Sequence, residues 1–431
     1  MIAYNNGDGY ILYDNTTNKI LFSNNNNFIN TYGNCIDNCI GFYNDEIKEI
    51  KKYEPNKIQL TYIVTSFCNL RCKYCYESGK TISKNNNKMN VSKQLETFIK
   101  FQEKYPKKKF EITFFGGEPL LEIKNIQEFI IQLKLYCKNH SIDCPVFKII
   151  TNATLIDDSI AKFITDNFTA ITFSLDGTKL IHNENRIDYN GNGSFLNTIL
   201  GIKKINKNNK NTLTACELTV TNAYFKYYNN HLINEIYTLL KELNINHISF
   251  IPESNYIVKD DDIKYIEKIA KDIVNFWFDS IINDDIVINN NILKSFLLTI
   301  LNIQDFKEIK CTSGNGYYAI SGDGNVYPCQ VSAFNTKKYL CNINQLDNIL
   351  GFENNNIKYN NPICRKCECF NSCTIYCKSL MNNKMSDNRF VCIFNRKLFK
   401  YTILRYYKLC TSSAETKDCF VKNFKKKVLK Q

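Results

Sequence analysis

Six β-rich runs separated by stretches of helical period between residues 58 and 255, then a segment past residue 305 crowded with cysteine and turn residues, predict an α/β protein with a cysteine-rich C-terminal domain. Strand and helix alternating in this way imply a parallel sheet with right-handed crossovers, either an open doubly wound sheet or a partial (β/α) barrel. In both architectures ligand chemistry belongs at the carboxyl ends of the strands.

The first 57 residues begin with two β-rich runs, Tyr10 to Tyr13 and Ile20 to Phe22, on either side of the turn-forming DNTTN, which predicts a hairpin. Strands of the main sheet are expected at QLTYIVT (59–65), FEITFFG (110–116), VFKIIT (146–151), AITFSLD (170–176), TACELTV (214–220) and HISFIP (247–252). Between them Val91, Leu95, Phe98 and Phe101 recur at three- and four-residue intervals, and 225–243 and 262–282 keep the same period. The segments are therefore 1–57, an α/β core at 58–304, a cysteine-rich domain at 305–400, and 401–431, whose NFKKKVLK reads as a solvated basic tail. Asparagine runs at 24–27, 85–87, 289–291 and 354–356 are placed in loops.

The chain of 431 residues has material for two or three domains, and its 44% apolar and 23% charged residues are those of a globular protein. No apolar run approaches the roughly 18 residues of a membrane span, and MIAYNNGDGYILYDN has neither a basic nor an apolar targeting region, so a cytoplasmic protein without a membrane partner is expected. In a reducing compartment, 19 cysteines point to metal ligands or catalysts rather than bridges. The net charge of +13 could suit an acidic peptide or nucleic acid, but every thiolate that ligates metal lowers it. The 27 Tyr and 29 Phe are spread through strands and helices rather than gathered beside basic clusters, so no nucleic-acid partner is expected.

TSFCNLRCKYCYE, at the end of the first main strand, spaces Cys68, Cys72 and Cys75 as CX3CX2C. Three thiolates on one loop can wrap a cubane iron–sulfur cluster but leave its fourth iron open, and an open position separates a catalytic centre from a closed structural one. A zinc site borrowing a fourth ligand is the alternative. The spacing, with the aromatic Tyr74 just before the last cysteine, resembles the radical S-adenosylmethionine (SAM) enzymes, and the resemblance continues at successive strand ends. Gly116, Gly117, Glu118 and Pro119 match the family motif that holds the amino group of the SAM methionine moiety, where two glycines admit a close backbone approach. Thr151 and Asn152 of TNATL match another family position, as do Ser174 and Asp176 of SLDG, followed by HNENR with His182 and Arg186. The resemblance covers roughly residues 58–255 and implies a partial (β/α)6 TIM-like barrel.

Further on, Cys311, Gly324 and Cys329 are followed by Cys364, Cys367, Cys373 and Cys377 as CX2CX5CX3C, then by Cys392. A pair of zinc ribbons would need two CX2C knuckles and only one is present. The arrangement resembles the SPASM extension of radical SAM enzymes, which carries two auxiliary iron–sulfur clusters. That resemblance implies one cluster on Cys364, Cys367, Cys373 and Cys392, and another on Cys311, Cys329 and Cys377 whose last site is open or filled by Cys341, Cys369 or a non-cysteine ligand. Of the other cysteines, Cys35 and Cys39 have a CX3C spacing without a third partner nearby, and burial is the default for the rest.

The resemblance implies that a reduced [4Fe–4S] cluster on Cys68, Cys72 and Cys75 cleaves SAM to methionine and a 5′-deoxyadenosyl radical, which takes hydrogen from an unreactive carbon. A flavodoxin- or ferredoxin-type protein would supply the electron. SPASM proteins mostly act on peptides. A precursor-peptide maturase forming thioether links is expected; a sulfatase-maturating enzyme that makes formylglycine is the alternative. The latter carry an aspartate base directly after the second SPASM cysteine, and here Gln330 stands there, an amide that cannot accept a proton at neutral pH. An electron-transfer protein without SAM chemistry is a third reading, but it would have no use for the GGEP motif or for an open-iron CX3CX2C. The N-terminal hairpin could pair with a leader strand by β-augmentation.

Overall fold

The computed structural model describes residues 2–5, 10–14, 19–23, 57–75, 88–284, 287–301, 312–334, 339–348, 364, 367–370, 372–373 and 390–429. Six strands build the core of one sheet: β4 (Lys57–Thr65), β5 (Lys109–Gly116), β6 (Val146–Thr151), β7 (Ala170–Ser174), β8 (Leu213–Val220) and β9 (His247–Pro252). Each is parallel to the next, and their spatial order is their chain order. A doubly wound sheet reverses its order at a switch point. No reversal occurs from β4 to β9, so the sheet winds one way as the wall of a partial barrel, which decides between the two architectures. β10 (Asn289–Asn290) extends it beyond β9, and β11 (Tyr317–Ile320), β12 (Asn325–Tyr327) and β13 (Cys341–Asn342) extend it beyond β4, β11 in parallel. Chain past residue 305 thus continues the same sheet.

Strand alternation gives the wall two faces. Ile58, Leu60, Tyr62 and Val64 of β4, Ile112 and Phe114 of β5, Ile149 of β6, Phe173 of β7 and Leu218 of β8 are buried in one core with the helices. Tyr62, Phe114 and Phe129 meet edge-on there, with ring centroids 5.4 to 6.3 Å apart, and each such buried side chain contributes about 1.5–3 kcal/mol. The opposite face carries Gln59, Thr113, Thr172, Ser174, Glu217 and Ser249, all only partly buried. Helix Val91–Lys104 starts where the Asn90 side chain accepts from Lys93 N, and it buries Phe98 and Phe101 against the sheet.

Several sequence expectations change. The hairpin is there as β2 (Tyr10–Asp14) and β3 (Lys19–Ser23), but a third strand, β1 (Ile2–Asn5), joins β2, and Tyr13 packs on Phe399 at 5.1 Å. The helix expected at 225–243 is two, Asn222–Lys226 and Leu232–Glu242, because the Asn229 side chain accepts from His231 N (2.7 Å) and turns the chain between them. Asn289–Asn291 is no loop: Asn290 caps helix Asn291–Ile300 and is buried. Nor are residues 401–429 a solvated tail. Helices Phe390–Cys410 and Ala414–Asn423 pack on helix Asp260–Asn283, with Phe420 stacked on Phe278 (5.1 Å) and Phe424 and Val428 buried. The basic residues there alternate with apolar ones, which charge counting overlooked. No helix among the described residues is long and apolar enough to cross a membrane.

Candidate active site

The loop after β4 carries Cys68, Cys72 and Cys75, all partly exposed. It is pinned to the segment after β7 by hydrogen bonds from Arg71 N to Ile187 O (2.6 Å) and Lys73 N to Asn185 O (3.0 Å), while the Arg71 guanidinium lies 3.7 Å from the Tyr189 ring centroid.

The turn after β5 seats against this loop. Gly117 N donates to Thr65 O and Glu118 N to Phe67 O, each at 2.8 Å. A Cβ on Gly116, at φ +141°, would lie 2.2 Å from Thr65 O, and one on Gly117 would lie 2.2 Å from Phe67 O. What the two glycines make room for is therefore backbone, that of the last residue of β4 at Gly116 and of the start of the cysteine loop at Gly117. Glu118 is buried, its Oε1 accepting from Thr151 Oγ1 (2.6 Å) and Leu120 N (3.1 Å) and its Oε2 from Asn152 N (2.8 Å). Burial raises its carboxyl to about 7 despite these donors. Pro119 opens the short helical turn that follows. Asn152 reaches back to the loop, donating to Asn69 Oδ1 (2.9 Å) and towards Cys68 Sγ (3.9 Å).

Beyond β7, Asp176 is fully buried. Its Oδ1 accepts from Arg186 Nη2 (3.0 Å) and Thr219 N (3.1 Å), its Oδ2 from the Tyr74 hydroxyl (2.6 Å), and its carbonyl from the Tyr224 hydroxyl (2.9 Å). Asp176 N donates to His182 Nδ1 (3.4 Å), and His182 Nε2 meets Ser194 Oγ (3.0 Å), whose hydroxyl donates to Arg186 O (2.8 Å). This network leaves the proton on Nε2 of a neutral ring. Burial pulls the His182 pKa down to about 3. Ser174 stands two residues before Asp176, partly exposed on the inner face.

Three features fit an iron–sulfur cluster and an anionic ligand beside it. Burial lifts the Cys68 thiol to about 12 and Cys72 to about 11, and Cys72 and Cys75 lie close enough to add to the Cys68 rise, so a cation bound among the three would be what holds them as thiolates. N–H donors already face the sulfurs, Leu70 N and Asn152 Nδ2 on Cys68 and Arg186 Nη1 on Cys72 (4.0 Å). Arg186 Nε is buried without a hydrogen-bond partner among the described residues, a cationic donor beside the loop that an acceptor such as a carboxylate would satisfy. Among the described residues no three His, Cys, Asp or Glu side chains converge as ligands of one metal ion do.

Residues 62–240 match the model of the radical SAM superfamily. They form a radical SAM domain. The protein is thus an enzyme whose domain binds a [4Fe–4S] cluster and SAM. It is similar to a cysteine-type anaerobic sulfatase-maturating enzyme of Clostridium perfringens, 26% identical over 79% of this chain and 95% of the relative. It is also similar to the radical SAM cyclopropyl synthase TigE of Paramaledivibacter caminithermalis, 24% identical over 80% and 74%. Among solved structures, native anSMEcpe with bound AdoMet superposes with a TM-score of 0.64 at 23% identity, covering 81% of this chain and 98% of that one. Streptococcus suis SuiB bound to S-adenosylmethionine gives 0.54 at 14% identity, covering 89% and 95%. These likenesses extend the fold well past the radical SAM domain.

Outside that domain, Cys367 N bonds to Cys364 O (3.0 Å) and Cys373 N to Cys369 O (2.6 Å). Glu368, next to Cys367, pairs with Arg396 of helix Phe390–Cys410, the bearer of Cys392, at 3.0 Å. Cys329 is buried at the end of β12, beside Ser332 Oγ (3.4 Å). Cys311, Cys377, Cys35 and Cys39 lie outside the described residues. Cys369 is buried, its thiol directed at Asn395 O (3.5 Å). Sequence motifs quoted Arg186 and His182 without assigning them a role, and only the fold shows them organising Asp176. Glu217 gave no signal, since one carboxylate in a β-rich run belongs to no motif.

Proposed function

We propose that this radical SAM enzyme is a peptide maturase that oxidatively cross-links a ribosomally made precursor, probed first as thioether formation. When bound, the cluster and SAM supply one-electron cleavage of the sulfonium and hydrogen-atom abstraction from an unreactive carbon. Cys68, Cys72 and Cys75 would hold the cluster, with Tyr74, Gly116, Gly117, Glu118, Pro119, Asn152, Ser174 and Asp176 around SAM. Arg186 Nε is placed to take a carboxylate. The wall excludes water on its core side and presents a polar inner face to substrate. Cys311, Cys329, Cys364, Cys367, Cys373, Cys377 and Cys392 would carry two auxiliary clusters, and a flavodoxin- or ferredoxin-type donor would reduce the enzyme.

The observation that carries the peptide-maturase reading is Gln330. It follows Cys329 directly, and its Oε1 accepts from the Tyr317 hydroxyl, which in turn accepts from Thr61 Oγ1 (3.1 Å). An amide held this way takes up no proton from substrate. Formylglycine formation is the second reading, favoured by the sulfatase-maturating relatives. Co-expression with short open reading frames encoded beside the gene, followed by mass spectrometry, separates them. Loss of two hydrogens per modification with thiols no longer alkylatable supports thioether formation; formylglycine in a sulfatase peptide overturns it.

A further inference from the structure

One carboxylate on the inner face has no part in the site described so far. Glu217 lies on β8 opposite in pleat to the buried Cys216 and Leu218, which places it on the polar side of the wall. The register sets it between Ser174 of β7 and Ser249 of β9, on strands about 4.8 Å apart, so hydroxyl, carboxylate and hydroxyl form a row. Thr151, Phe173 and Cys216 are register partners across β6, β7 and β8, and Glu217 stands one residue beyond that level, towards the catalytic end. Two residues further on, Thr219 N binds Asp176.

Among the described residues, no hydrogen bond or ion pair reaches the Glu217 carboxylate. The cation whose charge it feels, Arg186, is already paired with Asp176 at 3.0 Å. Burial raises the Glu217 pKa above its ordinary value, Arg186 offsetting part of this. Glu253, just past β9, is a second carboxylate raised by burial and without a cationic partner among the described residues. A desolvated carboxylate facing a concave polar surface gains most from a ligand that brings its own positive charge.

We propose that Glu217, flanked by Ser174 and Ser249, binds a lysine or arginine side chain of the substrate peptide and fixes which residue of that peptide meets the catalytic end of the barrel. This rests on the peptide-substrate reading. Glu217 acts as a specificity residue: it sets the register of the peptide, while hydrogen abstraction depends on the cluster side of the mouth.

The test immobilises the full chain, with cluster and SAM bound, against a display library of randomised dodecapeptides, as wild type and as Glu217→Gln and Glu217→Ser. Wild type should enrich Lys or Arg about tenfold at one position, equivalent to about 1.4 kcal/mol, and both variants should lose that enrichment while retaining other preferences. SAM affinity, measured by equilibrium dialysis, should stay within about twofold in the variants. Peptides retained without a basic position, or a basic preference that survives in both variants, overturns this inference alone. Weakened SAM binding in both variants also overturns it, since the carboxylate would then belong to the cofactor. If wild type retains no peptide at all, the peptide-substrate reading falls and takes the inference with it.

Discussion

The Tyr74 hydroxyl donates a 2.6 Å hydrogen bond to Oδ2 of Asp176, so the residue beside the last cysteine of the loop is tied to the tip of β7. Asp176 Oδ1 also pairs with Arg186, and both residues are buried. Asp176→Asn leaves the guanidinium without its counter-charge and should cost about 3–5 kcal/mol, whereas Tyr74→Phe should cost about 1.5–3 kcal/mol. Urea unfolding measures both. The double variant should cost less than the sum; strict additivity would mean that the three residues do not act as one network.

Gly117→Ala forces a Cβ to 2.2 Å from Phe67 O and 2.9 Å from Ser66 O. The cysteine loop must move, while the core beneath it stays. Circular dichroism should be unchanged and SAM cleavage should fall about a hundredfold, as misplacements of this size do. Wild-type cleavage would show that the close approach is dispensable.

Replacing Cys68, Cys72 or Cys75 with Ala should abolish SAM cleavage, since two thiolates cannot hold a site-differentiated cluster. Cys364→Ala or Cys373→Ala should instead lower iron content and leave uncoupled SAM cleavage. Iron analysis beside 5′-deoxyadenosine release distinguishes the two groups, and unaltered iron in the second would remove the auxiliary-cluster assignment.

Burial holds His182 neutral, with its pKa down near 3, against an ordinary value of about 6.5. Between those values the unfolded chain binds the proton and the folded one does not, so this contribution to stability is complete above about pH 6.5 and is lost as pH falls towards 3. His182→Gln should flatten the fall of the urea midpoint between pH 7 and 4. An unchanged slope would place the acid sensitivity elsewhere.

Truncation after Asn423 removes the buried Phe424 and Val428 from the face of helix Asp260–Asn283, where Phe424 meets Trp277 edge-on at 6.3 Å. Each lost side chain should cost about 1.5–3 kcal/mol, seen as a lower thermal midpoint. A solvated tail would leave the midpoint where it was.

The six main strands, their parallel pairing and the three cysteines of the first loop were all readable in the chain, because period-two burial and short-range spacing are local properties. The helix break at Asn229 and the docked C-terminus were not. The first turns on one side chain capping a backbone N–H, and the second on apolar residues hidden among lysines that find Trp277 and Phe278 only across the fold.

The sequence by itself determined that thiolates, a glycine turn and acidic strand tips sit at the same end of a parallel sheet, since each motif closes a strand. Tertiary structure alone decided that the strands run in unbroken order round one wall, that the glycines receive backbone at the end of β4 and the start of the cysteine loop, and that Arg186 comes from beyond β7 to neutralise Asp176. It also decided that Glu217 lies on the inner side of the wall with no ion pair among the described residues. Those relationships join residues tens of positions apart, and register and packing, rather than any local pattern, bring them within reach of one another.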